Sequence, residues 1–301
     1  MPQRLATKLA LIALGAFLAP AACTRAPVVP DEALVHTDRV GYHHAYWHDP
    51  TITAAHISGE ALLASIVPPG ATIVDLTHVF DEETLYWPSE TFGFRREAAD
   101  RGRSAASAAG HISAPEQGGT HLDAPAHLAA GKSTADRVPL PRLMAKAVVI
   151  DIAAKAALNP DAQLEPADIT AFEQRHGELA AGTIVLIRSG WSERWPDRKR
   201  YLGDDRPRKT DGLHFPGITP EAAELLVERA VAAVGIDTAS LDHGPSKTFA
   251  ARRVLANADV PTFENVAQLG MVPETGAVVI ALPMKIGGGS GGPLRIVAVV
   301  P

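Results

Sequence analysis

The stretch GGTHLDAPAH, residues 118–127, sets two histidines and an aspartate within seven positions, along a path that Gly118, Gly119, Ala124 and Pro125 keep out of a helix. In an extended segment His121 and Asp123, two positions apart, point to one face and converge on a common point. Gln117 and His127 share their parity, although Pro125 bends the path between them. A converging imidazole and carboxylate suit a divalent ion of the Zn²⁺ or Mn²⁺ kind, and flanking glycines let the backbone turn closely around it. The same residues also suit an ordinary turn, with Thr120 and Asp123 satisfying local amides and both histidines half exposed. Spacing alone does not separate the two readings.

Outward from this stretch, strand and helix signals alternate from residue 71 onward. ATIVDLTHVF, KAVVIDI, GTIVLIRSG, AVAAVGIDT, TGAVVIALPMKI and PLRIVAVV are short apolar, β-branched runs bounded by Gly or Pro, the pattern of buried strands. A helix opens at Thr219-Pro220-Glu221 and runs to Arg229, with Thr219 as N-cap and Pro220 in the first turn. Pro166 to His176 reads as a second helix and Phe249 to Asn257 as a third. Strands outnumber helices, which predicts a mixed α/β domain with a mainly β core rather than a regular doubly wound sheet.

The chain has 301 residues, 46% hydrophobic and 21% charged, with a net charge of −6. That length and composition can bury one large core, and no basic run tracks a phosphate backbone, so nucleic acid is excluded as a partner. Residues 1–23 differ from the rest. Arg4 and Lys8 precede LALIALGAFLA, an apolar run of eleven, followed by PAA and Cys23. This is the layout of an export signal, too short for a permanent membrane span. Cys23, the only cysteine, stands where a bacterial lipoprotein signal carries its lipidated residue, although Pro20 replaces the usual Leu. A plain secretory signal is the alternative. The expected protein is exported, periplasmic or anchored to the outer membrane through a lipidated Cys23, and has no intramolecular disulfide. Residues 24–70 read as a Pro-rich tether and extension, and 71–301 as the functional domain.

Two familiar glycine motifs fit in letter only. GGGSGG, residues 287–292, satisfies G-x-G-x-x-G and G-x-S-x-G, but both need a following helix. Here Pro293 and a strand follow, with neither Asp nor His after Ser290, so the segment reads as a turn between two terminal strands.

GGTHLDAPAH also resembles the H-x-G-T-H-x-D-x-P-x-H signature of the cyclase family of metal-dependent hydrolases, which includes bacterial kynurenine formamidases and isatin hydrolases. VDLTHVF, WPSETF, ADRVPLPRL, IVLIRSGWSERWP, VGIDTASLDHGPS, FENVAQL and ALPMKIGGGSGGPLRIVAVV resemble the family's blocks in order. The resemblance implies an α/β, swivelling β/β/α domain, a homo-oligomer, and hydrolysis of amides or lactams next to aromatic rings. It implies His121 and Asp123 as ligands of one divalent metal ion, zinc or manganese, His127 as the general acid–base residue, and Glu264 as a ligand of a second metal. It places Trp87, Phe92 and Trp191 in segments that border the pocket, where they either stack on an aromatic substrate or pack in the core or rim, with His214 and Phe215 in the same group. From the sequence alone, Arg188 and Ser189, at the end of a predicted strand, read as polar pocket or surface residues, and His243 as a satisfied loop histidine, a pocket residue or a substitute ligand.

Two positions depart from the pattern. Gln117 stands at the first motif histidine, and Arg252, twelve residues before Glu264, at a later one. A Gln carbonyl is a poorer zinc ligand than imidazole, and a guanidinium cannot ligate. These changes suggest that Arg252 puts a fixed positive charge where a second metal would sit, paired bidentately with Glu264. They leave two other readings open: a catalytically silent, surface-anchored small-molecule binding protein, and a metal-dependent lactone hydrolase.

Overall fold

A computed structural model describes residues 67–98 and 109–301. The expected leader at 1–23 and the tether up to residue 66 lie outside the described residues. Among the described residues, no helix is long and apolar enough to cross a membrane.

The strands are β1 (Thr72–Asp75), β2 (Arg95–Ala98), β3 (Gly110–Ser113), β4 (His121–Asp123), β5 (Met144–Asp151), β6 (Gln163–Leu164), β7 (Ile184–Arg188), β8 (Gly217–Ile218), β9 (Ala233–Ile236), β10 (Thr262–Glu264), β11 (Ala277–Pro283) and β12 (Gly291–Val300). Eight of them form one sheet in the order β1-β12-β11-β5-β7-β9-β10-β4, and β4 also pairs with β12, so the sheet closes on itself. β12 makes the closure. One of its edges lies on β11, and its other edge is shared between β4 at Gly291–Pro293 and β1 at Val297–Val300. β5, β7, β9 and β10 run parallel, and the remaining pairings of this sheet are antiparallel. The expected mixed, mainly β core is therefore a closed ring rather than an open sheet.

The period of two sets which face of each strand of this sheet enters the ring and, on β5, β7 and β9, which enters a second core. Ile184, Leu186, Val149, Leu122, Phe263, Val279 and Ile296 point inward and fill the ring. Val185, Ile187, Ile150, Val234 and Ile236 point outward under the helices. Those helices include α3 (Pro166–His176), α5 (Pro220–Glu228) and α6 (Ala250–Asn257), while α1 (Leu140–Leu143), α2 (Ala153–Leu158) and α4 (Arg198–Leu202) are short connectors. α3 opens with a reciprocal cap between Glu165 and Asp168, and α5 with Thr219 Oγ1 accepting from Ala222 N at 3.1 Å. Both helices start where their Pro residues predict.

The alternation also fixes the candidate site. Leu122 and Phe263 fill the ring, so their neighbours His121, Asp123, Thr262 and Glu264 face outward. The antiparallel register of β4 and β10 puts Glu264 opposite His121 and Thr262 opposite Asp123.

Candidate metal centre

His121, Asp123 and Glu264 are buried on adjacent strands, each offering a ligand atom within 4.8 Å of the others. His121 Nε2 lies 3.5 Å from Asp123 Oδ1 and 3.6 Å from Glu264 Oε2. Donor atoms about 2.1 Å from one tetrahedral ion stand about 3.4 Å apart, so these separations fit a shared cation. Two further observations support that fit. Among the described residues, His121 Nε2 and Asp123 Oδ1 are buried without a hydrogen-bond partner. His121 Nδ1 lies 2.9 Å from the Gly119 carbonyl, which accepts its proton and leaves the Nε2 lone pair facing the carboxylates. Gly119 holds this turn at φ +57°, where a Cβ would also press on Phe80 and Thr84 at 3.0 Å.

Other groups brace the centre. Asn265 Nδ2 donates to the Gly119 carbonyl at 2.6 Å, and Tyr201, wholly buried, donates its hydroxyl to Asn265 Oδ1 at 2.9 Å. Asp242 accepts from the backbone N–H groups of Ala251 and Arg252 at 3.0 and 3.2 Å. It thereby caps the first turn of α6 and aims Arg252 back at β4 and β10. One guanidinium nitrogen, Arg252 Nη1, donates to both Asp123 Oδ2 at 2.9 Å and Glu264 Oε1 at 3.3 Å.

The electrostatics of the cluster call for positive charge. Burial raises the Glu264 carboxyl to about 7, with Asp123 adding to the rise against the pull of Arg252. Burial also disfavours the Asp123 anion, yet His121 and Arg252 outweigh it and hold that carboxyl well below its usual range. Burial works against the His121 cation, and the Asp123 and Glu264 carboxylates overcome it and raise the imidazole. Asp123, Glu264 and Asp242 thus outnumber the one guanidinium among them by two charges, which two protons or one divalent ion would balance.

Several expected positions need correction. Strand register brings Glu264, expected at a second metal, into the same cluster as His121 and Asp123. Arg252 is not a bidentate partner of Glu264, because its Nη1 is shared between two carboxylates while its Nε faces Asp242 at 3.5 Å. Among the described residues, His243 lies outside the cluster of candidate ligands. The cluster opens into a cavity of about 250 Å³ lined by Gln117, His121, His127, Arg252 and Glu264, with Leu85, Tyr86, Trp87, Leu128 and Phe249 as its apolar part. Of the expected aromatic residues only Trp87 lines it. Phe215 is fully buried, edge-on to Trp87, and the buried Trp191 donates its indole N–H to the Tyr201 carbonyl at 2.7 Å. Phe92 is 45% exposed away from the cavity, and His214 pairs with Asp161 at 2.8 Å. Ser189 is spent on Asp237, to which it donates through N and Oγ, and Arg188 pairs with Asp151. Phe249, Asp242, Asn265 and Tyr201 were not singled out from sequence, and only the position of Asp242 beside His243 in DHGPS hinted at one of them.

A larger cavity, about 730 Å³, lies around Arg188, His78 and Trp195. His78 stacks on Trp195 with ring centroids 4.3 Å apart, and burial lowers its pKa to about 4. The unfolded chain therefore takes up a proton below about pH 6.5 that the native His78 refuses until about pH 4. Stability should fall across that window, and a His78→Phe variant should fall less over it, in urea titrations at pH 7 and pH 5. Equal losses in both proteins would contradict the assignment.

The comparisons with known proteins find relatives of the same fold. The family model described as "Putative cyclase" matches residues 74–243. An isatin hydrolase of Roseibium aggregatum is 35% identical over 194 residues, covering 62% of this chain and 72% of that protein. A kynurenine formamidase of Salinibacter ruber is 27% identical over 228 residues, covering 75% and 96%. The crystal structure of an isatin hydrolase bound to the product analogue thioisatinate superposes with a TM-score of 0.72 at 31% identity, covering 80% of this chain and 96% of that one. Fold, site and relatives define a metal-dependent hydrolase of amide or lactam C–N bonds. The chain belongs to the cyclase family.

Proposed function

We propose that this protein opens the C–N bond of a small aromatic lactam of the isatin type, with aryl formamides as the neighbouring substrate class, and that it uses one divalent ion per chain. The observation that carries the reading is the unpartnered, buried Nε2 of His121 facing two carboxylates at the floor of a small cavity that His127 also lines. An ion held by His121, Asp123 and Glu264, of the Zn²⁺ or Mn²⁺ type, would supply Lewis acidity toward a carbonyl and toward water. Arg252 stays bonded to Asp123 and Glu264 and occupies the far side of both carboxylates, which supports a single ion rather than two.

The chain's own part is binding and proton transfer. Trp87 and Phe249, with ring centroids 5.8 Å apart, form an apolar wall against which a substrate ring can lie. At about 250 Å³ the cavity falls below the ~300–1,000 Å³ of drug-sized ligand sites, which favours a compact one- or two-ring molecule. His127, at the exposed rim, takes the proton released as water adds to the carbonyl and returns it to the nitrogen as the C–N bond breaks.

The test is turnover of isatin and of N-formylkynurenine by chelator-treated protein, before and after Mn²⁺ or Zn²⁺ is restored. Metal-dependent hydrolysis of either is expected; tight binding without turnover would instead favour a silent binding protein. In the same assay His127→Ala should lower amide hydrolysis by about 10²–10⁴-fold, the range of a positioned acid–base group. An activated ester, whose leaving group needs no proton, should lose less, because only the base half of the role is then missing. Unchanged turnover of both substrates would remove His127 from that role.

A further inference from the structure

Asn265 follows Glu264 directly, at the end of β10, and stands at φ +54°, in the left-handed region that few residues besides glycine adopt. All four of its polar groups are used. Its N donates to the Thr238 carbonyl at 2.8 Å, and its O accepts from Thr120 Oγ1 at 2.7 Å. Its side chain joins the Tyr201 hydroxyl to the Gly119 carbonyl. Asn265 therefore grips both residues ahead of His121, Gly119 through its amide and Thr120 through its carbonyl. One residue ties the strand end that carries Glu264 to the turn that carries His121.

The polarity of these bonds is forced. The Gly119 carbonyl only accepts, so the amide must turn Nδ2 toward it and Oδ1 toward Tyr201. Oδ1 in turn only accepts, which calls for the Tyr201 proton, shared with the Asp237 carbonyl at 3.0 Å. Burial raises the Tyr201 pKa well above its usual value, so the hydroxyl keeps that proton. Gly119 O then receives two donors, Asn265 Nδ2 at 2.6 Å and His121 Nδ1 at 2.9 Å. The two nitrogens stand 3.5 Å apart and, since both donate, converge on the one oxygen rather than bond to each other.

We propose that Asn265, with Tyr201 behind it, is a positioning residue: it fixes the Gly119 carbonyl and thereby sets the His121 ring with Nε2 toward Asp123 and Glu264 before an ion arrives. The role rests on the metal-hydrolase reading for its use. Both ends of the amide are already bonded, so Asn265 acts through His121 rather than as a ligand, and its effect falls on the affinity for the ion.

The test is the Zn²⁺ affinity of the full chain, read by competition with a fluorescent chelator. Asn265→Gly keeps the left-handed backbone and removes only the side chain. It should weaken Zn²⁺ binding by about 10–100-fold, the loss that follows removal of an outer partner of a metal ligand. Tyr201→Phe should weaken it by about 10-fold. The double variant should bind no more weakly than Asn265→Gly alone, because the phenol acts through the amide. A variant that only loosens packing, Ile169→Val in the outer core, should lower Tm and keep the wild-type affinity. Wild-type affinity in either single variant, additive losses in the double variant, or an equal loss of affinity in Ile169→Val would overturn the proposal. If Asn265→Gly does not fold, Tyr201→Phe decides alone. A wild type that binds Zn²⁺ but hydrolyses neither isatin nor N-formylkynurenine fails the hydrolase reading and leaves the affinities to decide this role; a wild type that holds no Zn²⁺ overturns both.

Discussion

Replacing Asp123 with alanine should abolish tight uptake of a divalent ion and, with it, hydrolysis. Asp123 supplies an unpartnered buried oxygen 3.5 Å from the free nitrogen of His121, and its negative charge is part of the excess that a cation must neutralise. Removing an outer hydrogen-bond partner of a metal ligand costs about 10–100-fold in affinity, so loss of a ligand itself should cost at least about 100-fold. Titration of chelator-treated protein with Zn²⁺ against a competing fluorescent chelator reads this directly. Asp123→Asn, which keeps the shape and loses the charge, should also bind weakly. The fold should survive in both variants, because the inward neighbour Leu122 is untouched and Arg252 keeps Glu264 and Asp242 as partners. Wild-type affinity in Asp123→Ala would remove this residue from the centre.

Arg252→Met should have the largest effect on stability. Arg252 is 9% exposed, and it is the guanidinium among the Asp123, Glu264 and Asp242 carboxylates. Breaking a buried pair by deleting one partner costs about 3–5 kcal/mol, because the remaining charge has no water to solvate it. For a domain of this size each kcal/mol moves Tm by about 2–4 °C, so a fall on the order of 10 °C is expected by differential scanning calorimetry. A divalent ion should then recover more Tm in the variant than in the wild type, since the ion takes over the positive charge the arginine supplied. An Arg252→Met protein as stable as the wild type, with the same metal response, would show that the guanidinium is not the counter-charge of this cluster.

The strand period and the motif spacing made much of this legible before any coordinates. The runs at 146–152, 182–190, 230–238, 275–286 and 293–300 are strands or contain them, and the helices at Pro166 and Pro220 begin at their proline signals. His121 and Asp123 share a face because a strand alternates, and that needs no tertiary information. The rest depends on contacts between distant segments. The strand Thr262–Glu264 is three residues long, too short for a period, yet its register against His121–Asp123 is what brings Glu264 into the same centre. Closure of the ring by Gly291–Pro293 is equally invisible locally, since a glycine-rich segment ahead of a strand reads as a turn. The aromatic residues left a pocket role and core packing both open for a related reason. Trp191 and Phe215 have the composition of a pocket wall, but their neighbours Tyr201, Leu202 and Leu213 enclose them completely. Phe249, in contrast, reaches the cavity from φ +51° at the start of α6, a backbone conformation that residue type does not announce.

The central claim is that one cation belongs to His121, Asp123 and Glu264, with Arg252 standing beside it in place of another. Equilibrium dialysis of the full chain against Zn²⁺ or Mn²⁺, followed by elemental analysis, measures that directly. One strongly held ion per chain is predicted, falling to none in Asp123→Ala; two strongly held ions, or none in the wild type, would contradict the account.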